Sequence, residues 1–196
     1  PERGFSFMRE GPLDMRMDTT KGFTAREYIE SADESELVEI LREYGEEPRA
    51  RKIARAIIAA READKISTTA ELAKAIAEAA PSHERIHPAT RAFQALRIKV
   101  NDELGEIERA LPKAFAALES GGVMAAISFH SLEDRIVKKF FKKAAGRPED
   151  RFDTSFVQDR VKLAELLTRK PILPSEGETA NNPRSRSAKL RAIRKD

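Results

Sequence analysis

The segment Val123-Met-Ala-Ala-Ile-Ser-Phe129 indicates the architecture of this chain, because it is short and almost entirely apolar. A run of this kind is typical of a strand that is buried on both faces of a parallel sheet. A polar corner, His130-Ser131, follows it, and Ser131 with Asp134 has the pattern of a helix cap. The next apolar residues share one helical face: Ile136, Val137, Phe140 and Phe141. Strand, polar turn and helix together predict an α/β fold.

Ligands of such sheets gather at the carboxyl ends of the strands. The corner at His130 and Ser131 occupies that position. We therefore expect this corner to lie near a substrate.

Upstream, residues 24–81 have a helical pattern with three capping boxes. Thr24 precedes Glu27 by three residues, and the pairs Asp33–Glu36 and Thr68–Glu71 repeat that spacing. The apolar residues that follow have helical periodicity: Leu37, Ile40 and Leu41, then Ile53, Ala54, Ile57 and Ile58, then Leu72, Ala73, Ile76 and Ala77. Three short amphipathic helices are predicted, forming a compact helical module.

A longer helix is expected between this module and the strand. Pro88 is well placed for its first turn. We expect bends at Gly105 and Pro112 and an end at Gly121-Gly122.

Downstream, two closing strands are predicted within residues 162–172 and 187–193. Residues 144–160 lack periodicity and are typical of an exposed loop. With one secure strand, the chain has the pattern of half an α/β domain that carries a helical insert.

The charge of the chain is nearly balanced but unevenly placed. Among its 196 residues, 36 Lys or Arg face 33 Asp or Glu, a formal net charge of +3. Two stretches, Arg135–Arg147 and Arg184–Lys195, contain six cations each and no acid before Asp196. Such blocks favour a phosphate backbone as partner. A solvated helix face and a basic tail would give the same pattern.

The composition also argues against several classes of site. The chain has no cysteine, which excludes disulfides and thiolate catalysis, and three histidines leave little for a histidine-rich metal site, so we expect no metal. No apolar stretch reaches the ~18 residues that a membrane span needs. The first residues have neither a basic nor an apolar signal-peptide region. We expect a cytoplasmic protein without a membrane partner.

Residues 1–18 combine aromatic, Gly-Pro and charged residues without helix or strand periodicity. Loops this rich in special residues usually serve a site. Because a loop is an unusual start for a polypeptide, we expect further sequence to precede Pro1.

Four segments carry a resemblance to a known family. They are Gly4-Phe-Ser-Phe7 with Gly11-Pro-Leu-Asp-Met-Arg-Met-Asp18, His87-Pro-Ala-Thr-Arg-Ala-Phe-Gln-Ala-Leu-Arg-Ile-Lys-Val-Asn101, Ser128-Phe-His-Ser-Leu-Glu-Asp-Arg-Ile-Val-Lys138 and Asn182-Pro-Arg-Ser-Arg-Ser187. In this order along the chain, they closely resemble the 16S ribosomal RNA cytosine-N4 methyltransferase family (RsmH, also called MraW).

The resemblance implies a Rossmann-like domain that uses S-adenosylmethionine and is interrupted by a helical domain. Residues 1–19 would be a site loop of the methyltransferase domain, 20–86 the inserted helical domain, and 87–196 the C-terminal half of the methyltransferase domain. The implied reaction is methylation of the exocyclic N4 of a cytosine in the decoding region of 16S ribosomal RNA. The implied partner is the small ribosomal subunit, and a homodimer is possible.

One departure from the family pattern is large. The glycine-rich cofactor loop of the family does not occur in these residues, and the resemblance places it before Pro1. We therefore expect the chain alone to bind S-adenosylmethionine poorly and to be inactive. The alternative is a non-catalytic RNA- or ribosome-binding helical module derived from such an enzyme.

Three residues are catalytic candidates. Cytosine N4 needs acceptors that hold its hydrogens, and Asp14 offers a carboxylate for this purpose, although a salt bridge with Arg16 would also explain it. His130 and Ser131 are expected to touch the substrate at the end of the strand, although a helix cap and a turn anchor are alternatives.

Four residues are RNA-binding candidates: Arg16, Asn101, Arg184 and Arg186. Arg184 and Arg186 flank a serine in an Asn-Pro turn and offer two guanidinium groups to phosphate, unless they belong to a solvated tail. Asn101 falls inside the predicted long helix, where Asn is a poor helix former, so we expect it to have a hydrogen-bonding role.

Overall fold

The computed structural model describes residues 2–81, 87–150, 153 and 160–196. It divides into two compact units, Pro1–Glu103 (unit 1) and Leu104–Asp196 (unit 2). None of the helices in the described ranges has the length and apolar character needed to cross a membrane. The predicted loop at 144–160 falls partly outside these ranges, as do the last residues of the predicted 20–86 segment.

Unit 1 is helical. Its helices are α1 (Ala25–Ser31), α2 (Glu34–Glu43), α3 (Ala50–Glu62), α4 (Thr69–Ala79) and α5 (Ala89–Asn101). Helices α1, α2 and α4 begin at the three predicted capping boxes, in which the N-cap side chain accepts from the N3 amide and the N3 glutamate accepts from the N-cap amide. The sequence therefore predicted where these helices start.

The helices of unit 1 surround one apolar core. The predicted stripes are buried in it: Leu37 and Leu41 of α2, Ile53 and Ile57 of α3, and Leu72 and Ile76 of α4. Leu13 and Met15, from the loop before α1, belong to the same core and are 2% and 1% exposed. Because burial of a side chain of this size contributes about 1.5–3 kcal/mol, the loop is part of the fold of this unit.

The predicted single helix from Pro88 to Gly121 is wrong. Helix α5 ends at Asn101, and α6 (Glu103–Ala116) begins after Asp102, whose φ of 47° lies in the left-handed region. Asp tolerates this conformation better than most residues, so it can break a helix without glycine. Pro112, expected to bend the helix, lies inside α6, and Pro88 is the N-cap of α5.

Unit 2 consists of helices α6 and α7 (Ser131–Ala144) and a three-stranded antiparallel sheet. Its strands are β1 (Val123–Ser128), β2 (Ala164–Leu166) and β3 (Lys189–Lys195), in the order β1-β3-β2, and a short helix α8 (Glu176–Asn181) precedes β3. The two closing strands are thus confirmed, with different bounds. The α/β class is also confirmed at this level.

The prediction that Val123–Phe129 forms a parallel strand buried on both faces is wrong. Within the described residues β1 pairs only with β3, in antiparallel register from Val123–Arg194 to Ser128–Lys189. Met124 and Ala126 pack on the core of unit 2, while Val123 and Ile127 are 50% and 58% exposed. Both sides of this strand are apolar, so the sequence pattern could not distinguish a covered face from an exposed one.

Candidate functional site

The loop before α1 is fixed by hydrogen bonds to the helices of unit 1. The amides of Ala25 and Arg26, the first two residues of α1, donate to the carbonyls of Asp14 and Leu13 at 2.8 Å. Thr69 of α4 binds Gly11 through both its amide and its hydroxyl. These contacts satisfy helix N-terminal amides and hold the loop in one conformation.

Gly4 allows the loop to pass close to itself. Its φ is +69°, and a β-carbon at this position would lie 2.0 Å from the carbonyl oxygen of Pro12. Only glycine fits such an approach. The Gly-Phe-Ser-Phe segment therefore has a structural requirement for its first residue.

Asp14 and Arg16 form the salt bridge that was the alternative to a catalytic role. Arg16 Nε and Nη2 donate to the two carboxylate oxygens of Asp14 at 2.7 and 2.9 Å, and the Arg16 amide donates at 3.1 Å. The side-chain hydrogen bond from Arg16, opposed by partial burial, holds the pKa of Asp14 below its ordinary value. Asp14 is therefore an ionised, oriented acceptor at neutral pH.

Asn101 holds the same part of the loop. Its Nδ2 donates to the carbonyls of Met15 (2.7 Å) and Arg97 (2.9 Å), and its Oδ1 accepts from the amide of Met17 at 2.6 Å. It is the last residue of α5 rather than an interior one. Both hydrogens of its amide group are thus used within the protein. Unit 1 brings Asp14, Arg16 and Asn101 together, as neighbours of one turn.

In unit 2 the antiparallel register brings the other candidates to one end of the sheet. Ser128, the last residue of β1, pairs with Lys189, the first residue of β3. The corner His130-Ser131 after β1 and the segment Pro183–Ser187 before β3 therefore share this end of the sheet. We call them the sheet end.

His130, not Ser131, caps α7. Its Nδ1 faces the amide of Glu133 at 3.5 Å, and the Glu133 carboxylate accepts from the amides of Phe129 (2.7 Å) and His130 (3.2 Å). Burial opposes ionisation of Glu133, but hydrogen bonds from the His130 side chain and the Phe129 amide outweigh it and lower its pKa. The predicted Ser131 cap is wrong, because Ser131 is already the first helical residue.

Asp134, the predicted partner of that cap, has another function. It receives two hydrogen bonds from Arg191 of β3, Nε at 2.7 Å and Nη2 at 3.1 Å, in a buried ion pair. Chiefly the Arg191 hydrogen bond lowers the pKa of Asp134. This pair joins α7 to the sheet.

Arg184 and Arg186 project from a 3-10 helix, Pro183–Ser187, and both are exposed. Ser185 between them is buried, and its hydroxyl donates to the carbonyl of Asn182 at 2.8 Å. Neither guanidinium has an ion pair with a carboxylate in the part of the chain that the structure describes. Two free guanidinium groups on an anchored turn suit contact with phosphate.

Two further cations, Arg169 and Lys170, lie outside both basic blocks of the sequence. They line a cavity of unit 2 together with Lys138 of the first block. Their only signal in the sequence is the Arg-Lys-Pro tripeptide at 169–171, which is too short to indicate a site.

The implied methyl donor can be tested against these residues. In the family the donor is held by a glycine-rich turn between a strand and a helix. Within the described residues, β1 is the strand followed directly by a helix, and its turn, Phe129-His130, contains no glycine. The residues present do not fit that cofactor loop.

Comparison with known proteins gives one consistent result. The protein-family match, to the MraW methylase family, covers residues 1–196. A protein named ribosomal RNA small subunit methyltransferase H from Nitrosococcus oceani is 53% identical over 99% of this chain and 62% of its own length. Proteins of the same name from Methylobacterium nodulans and Magnetococcus marinus are 51% and 49% identical, over 57% and 64% of their lengths.

The chain thus spans about three fifths of the length of these curated relatives. The match covers all four segments that carried the resemblance, in their order. The chain belongs to the MraW methylase family.

Proposed function

We propose that this chain supplies the RNA-facing part of an S-adenosylmethionine-dependent enzyme that methylates the exocyclic N4 of a cytosine in the decoding region of 16S ribosomal RNA. The observation that carries the proposal is the family match over every residue of the chain. The relatives are named as methyltransferases of small-subunit ribosomal RNA, which supports an enzyme over a non-catalytic binding module.

The cytosine amine sets the chemical requirement. Its lone pair is delocalised into the ring, so the nitrogen is a poor nucleophile, and the enzyme must place it within about 3–3.5 Å of the methyl group in an aligned geometry. The base must also leave the stack to be reached. Positioning and hydrogen bonding, rather than a covalent nucleophile, are what the chain has to provide.

Asp14 is suited to hold the amine. Its carboxylate is fixed by Arg16, and Oδ2 accepts one hydrogen bond from it, which leaves this oxygen able to accept a second. A carboxylate with a lowered pKa is a weak base, so we assign it the role of an acceptor that orients the N4 hydrogens. Asn101 and Arg16 then act through the loop, by fixing Asp14.

The sheet end is suited to hold the RNA. The Nε2 of His130 is buried and lies 3.2 Å from the Glu133 carboxylate, which fixes the imidazole ring at the sheet end. It lies at the same end of the sheet as Arg184 and Arg186, which are free to bind phosphate. We propose that His130 and Ser131 contact the target nucleotide and that the two arginines bind the flanking backbone.

The methyl donor is proposed to bind to sequence that the relatives have and these 196 residues lack. The missing glycine turn and the coverage of about three fifths support this assignment. Residues 20–86 are proposed as the insert of the Rossmann-like domain, and a cytoplasmic enzyme is expected. Calorimetric titration of S-adenosylmethionine into the chain should give no binding; micromolar affinity would place the donor site in residues assigned elsewhere.

The function can be tested in a chimera in which this chain replaces the matching segment of the Nitrosococcus oceani relative. The chimera is incubated with S-adenosylmethionine and small ribosomal subunits lacking the modification. Mass spectrometry of digested 16S RNA should locate a new methyl group on the N4 of a decoding-region cytosine.

The intact relative serves as the positive control, and the chimera must bind S-adenosylmethionine as the relative does. A chimera that folds and binds the donor but methylates no RNA, or methylates another atom, contradicts the proposed function. In the active chimera, Asp14→Asn should lower kcat by about 10²-fold, the typical loss when one oriented polar group is removed.

A further inference from the structure

A cavity of about 270 Å³ in unit 2 lies between helix α7 and the segment that joins β2 to α8. Its lining contains cations and no acid: Lys138, Lys142, Arg147, Arg169, Lys170 and Arg191. We call it the basic pocket. No residue of the basic pocket belongs to the loop of unit 1 or to the sheet end.

Helix α7 separates its lysines onto two faces. Lys138 and Lys142, four residues apart, lie on the face that lines the pocket. Lys139 and Lys143, on the neighbouring face, approach the carboxylates of Asp150 (3.2 Å) and Glu149 (3.7 Å). The acids that follow this helix thus neutralise one face and leave the pocket face positive.

The innermost cation of the pocket is held in place. Arg191 is 8% exposed, and Asp134 binds its Nε and Nη2, so that the guanidinium cannot rotate away. Its Nη1 donates to no acceptor within the described ranges. A fixed guanidinium with a free edge at the base of a cavity is a geometry that binds phosphate oxygens.

The rim of the pocket is exposed and unpaired. Lys138, Arg169 and Lys170 are exposed, and none forms an ion pair with a carboxylate in the part of unit 2 that the structure covers. The nearby Asp134 is compensated by Arg191 and by Lys189, whose Nζ lies 3.9 Å away. Asp134 therefore offsets one cation of the basic pocket, and the local charge remains positive.

The wall between these cations adds a donor and an apolar surface. The hydroxyl oxygen of Thr168 accepts from the amide of Ala192 at 2.9 Å, which leaves its hydrogen free to donate. Phe141, Leu166 and Pro171 complete the lining. Such a surface can pack against a ribose while the cations bind the adjoining phosphate.

We propose that the basic pocket is a phosphate-binding site for the backbone of the RNA strand, distinct from the sheet end. The inference rests on the proposed function for the identity of the polymer. A fixed guanidinium surrounded by unpaired lysine and arginine side chains binds phosphate without reading bases, so the pocket positions the RNA and contributes no sequence preference. It gives the enzyme a second anchor on its substrate.

The experiment compares two triple variants of the 196-residue chain. The pocket variant is Lys138→Gln, Arg169→Gln and Lys170→Gln, which removes three exposed, unpaired cations. The control variant is Lys139→Gln, Lys162→Gln and Arg194→Gln, which removes three cations of unit 2 that face Asp150, Asp196 and Glu165. Both lose the same net charge. Equal circular dichroism spectra and urea midpoints establish that both are folded.

Affinity for purified 16S ribosomal RNA is measured at several salt concentrations. In the pocket variant we expect at least a tenfold loss at low salt, with the slope of log K against log salt reduced by about 2, as the loss of three single-strand phosphate contacts predicts. The control variant should keep the slope within about 0.5 of the unmodified chain. Equal slopes in the two variants overturn the proposal.

Two further ligands distinguish other anions. Inorganic phosphate should bind the unmodified chain only weakly, and polyglutamate binding should fall equally in both variants. If the unmodified chain binds phosphate tightly and the pocket variant keeps its RNA affinity, the ligand of the basic pocket is a free anion. A pocket-specific loss for polyglutamate alone would assign an acidic protein. Either result overturns the proposal.

The failure of this proposal and that of the proposed function are separable. The pocket variant could lose RNA affinity while the chimera fails to methylate RNA. That result would support the basic pocket as an RNA site and reject the enzymatic function. If the chimera methylates RNA and its pocket variant has an unchanged KM for RNA, only the proposal for the basic pocket is rejected. If the pocket is correct, that variant should raise KM and leave kcat unchanged at saturating RNA.

Discussion

The loop of unit 1 and the basic pocket of unit 2 use their charged groups in opposite ways. In the loop, Asp14 is bound by Arg16, and Asn101 uses its donors on backbone carbonyls. In the pocket, Lys138, Arg169 and Lys170 have no carboxylate partner among the described residues. Both regions are rich in polar side chains, but only the second leaves its charges available to a polyanion.

This difference shows why residue type alone does not identify an RNA contact. Arg16 and Arg184 are both RNA-binding candidates in the sequence. In the structure Arg16 is committed to a carboxylate two residues away, whereas Arg184 is exposed on an anchored turn. The acids Glu27 and Asp18 also lie near Arg16 and would repel a phosphate. The similarly paired Arg191, by contrast, is surrounded by other cations.

The largest expected effect concerns the ion pair beneath the basic pocket. Asp134→Ala leaves the buried Arg191 without its counter-charge, which should lower the free energy of unfolding of unit 2 by about 3–5 kcal/mol. Glu165→Gln removes the exposed partner of Arg194, which also lies on β3, and should cost less than about 1 kcal/mol. Urea unfolding, monitored by amide hydrogen exchange in β3, measures the change in the free energy of unfolding for each variant. Equal changes in the two variants would contradict the importance of burial.

The second prediction concerns the conformation of the loop in unit 1. Gly4→Ala introduces a contact with the Pro12 carbonyl at a positive φ and should destabilise unit 1 by about 2–4 kcal/mol. Gly22→Ala, at a φ of +74° with open space around it, should cost only about 1 kcal/mol. Tyr28 and Tyr44 are the only tyrosines of a chain without tryptophan, so tyrosine fluorescence reports on unit 1. A tolerated Gly4→Ala would mean that the loop is not fixed.

The third prediction separates anchoring from RNA contact at Asn101. Asn101→Ala removes three hydrogen bonds to the protein and should lower the stability of unit 1 by about 2 kcal/mol. The amide of Met17 should lose protection from hydrogen exchange. RNA affinity of the folded variant at low temperature should change less than threefold; a larger loss with unchanged Met17 protection would make Asn101 a direct RNA ligand.

The fourth prediction concerns the sheet end. Arg184→Gln with Arg186→Gln should leave the urea midpoint unchanged and reduce the salt slope of 16S RNA binding by about 1.5, because two phosphate contacts are lost. The matched control, Arg26→Gln with Arg55→Gln, removes two exposed cations of unit 1 that are paired with Glu30 and Glu34. If both double variants give the same slope, the two arginines bind no RNA.

The smallest effect is a pH dependence. Arg16 lowers the pKa of Asp14, so this pair contributes stability above the unfolded value of about 3.8 that is lost as the pH falls through the folded pKa. In Arg16→Gln the pKa of Asp14 should rise toward 3.8, which carbon-13 titration of the carboxyl group detects. An unchanged pKa would show that the salt bridge does not form in solution.

The sequence predicted those features that depend on local contacts. The capping boxes at Thr24, Asp33 and Thr68 act within three residues, and the apolar stripes that follow them are buried. The location of β1 was also predicted, because a run of seven almost entirely apolar residues, Val123–Phe129, followed by a polar corner is typical of a strand. Family membership was predicted from long segments with a fixed order.

The sequence did not predict features that depend on distant partners. The direction of β1 is set by its pairing with Lys189–Lys195, some sixty residues away. Asp134 was interpreted as part of a cap because its true partner, Arg191, lies far along the chain on strand β3. The helix break at Asp102 could not be predicted, because neither glycine nor proline occurs at this position. The basic pocket combines residues from three separate segments, which periodicity cannot bring together.

The most direct test of this account is the salt dependence of 16S RNA binding by the unmodified chain. Five unpaired cations, three in the basic pocket and two at the sheet end, predict that log K falls with log salt with a slope of about −3.5 to −4.5. A slope near zero, or no binding at low salt, would contradict the claim that unit 2 presents its unpaired charges to RNA.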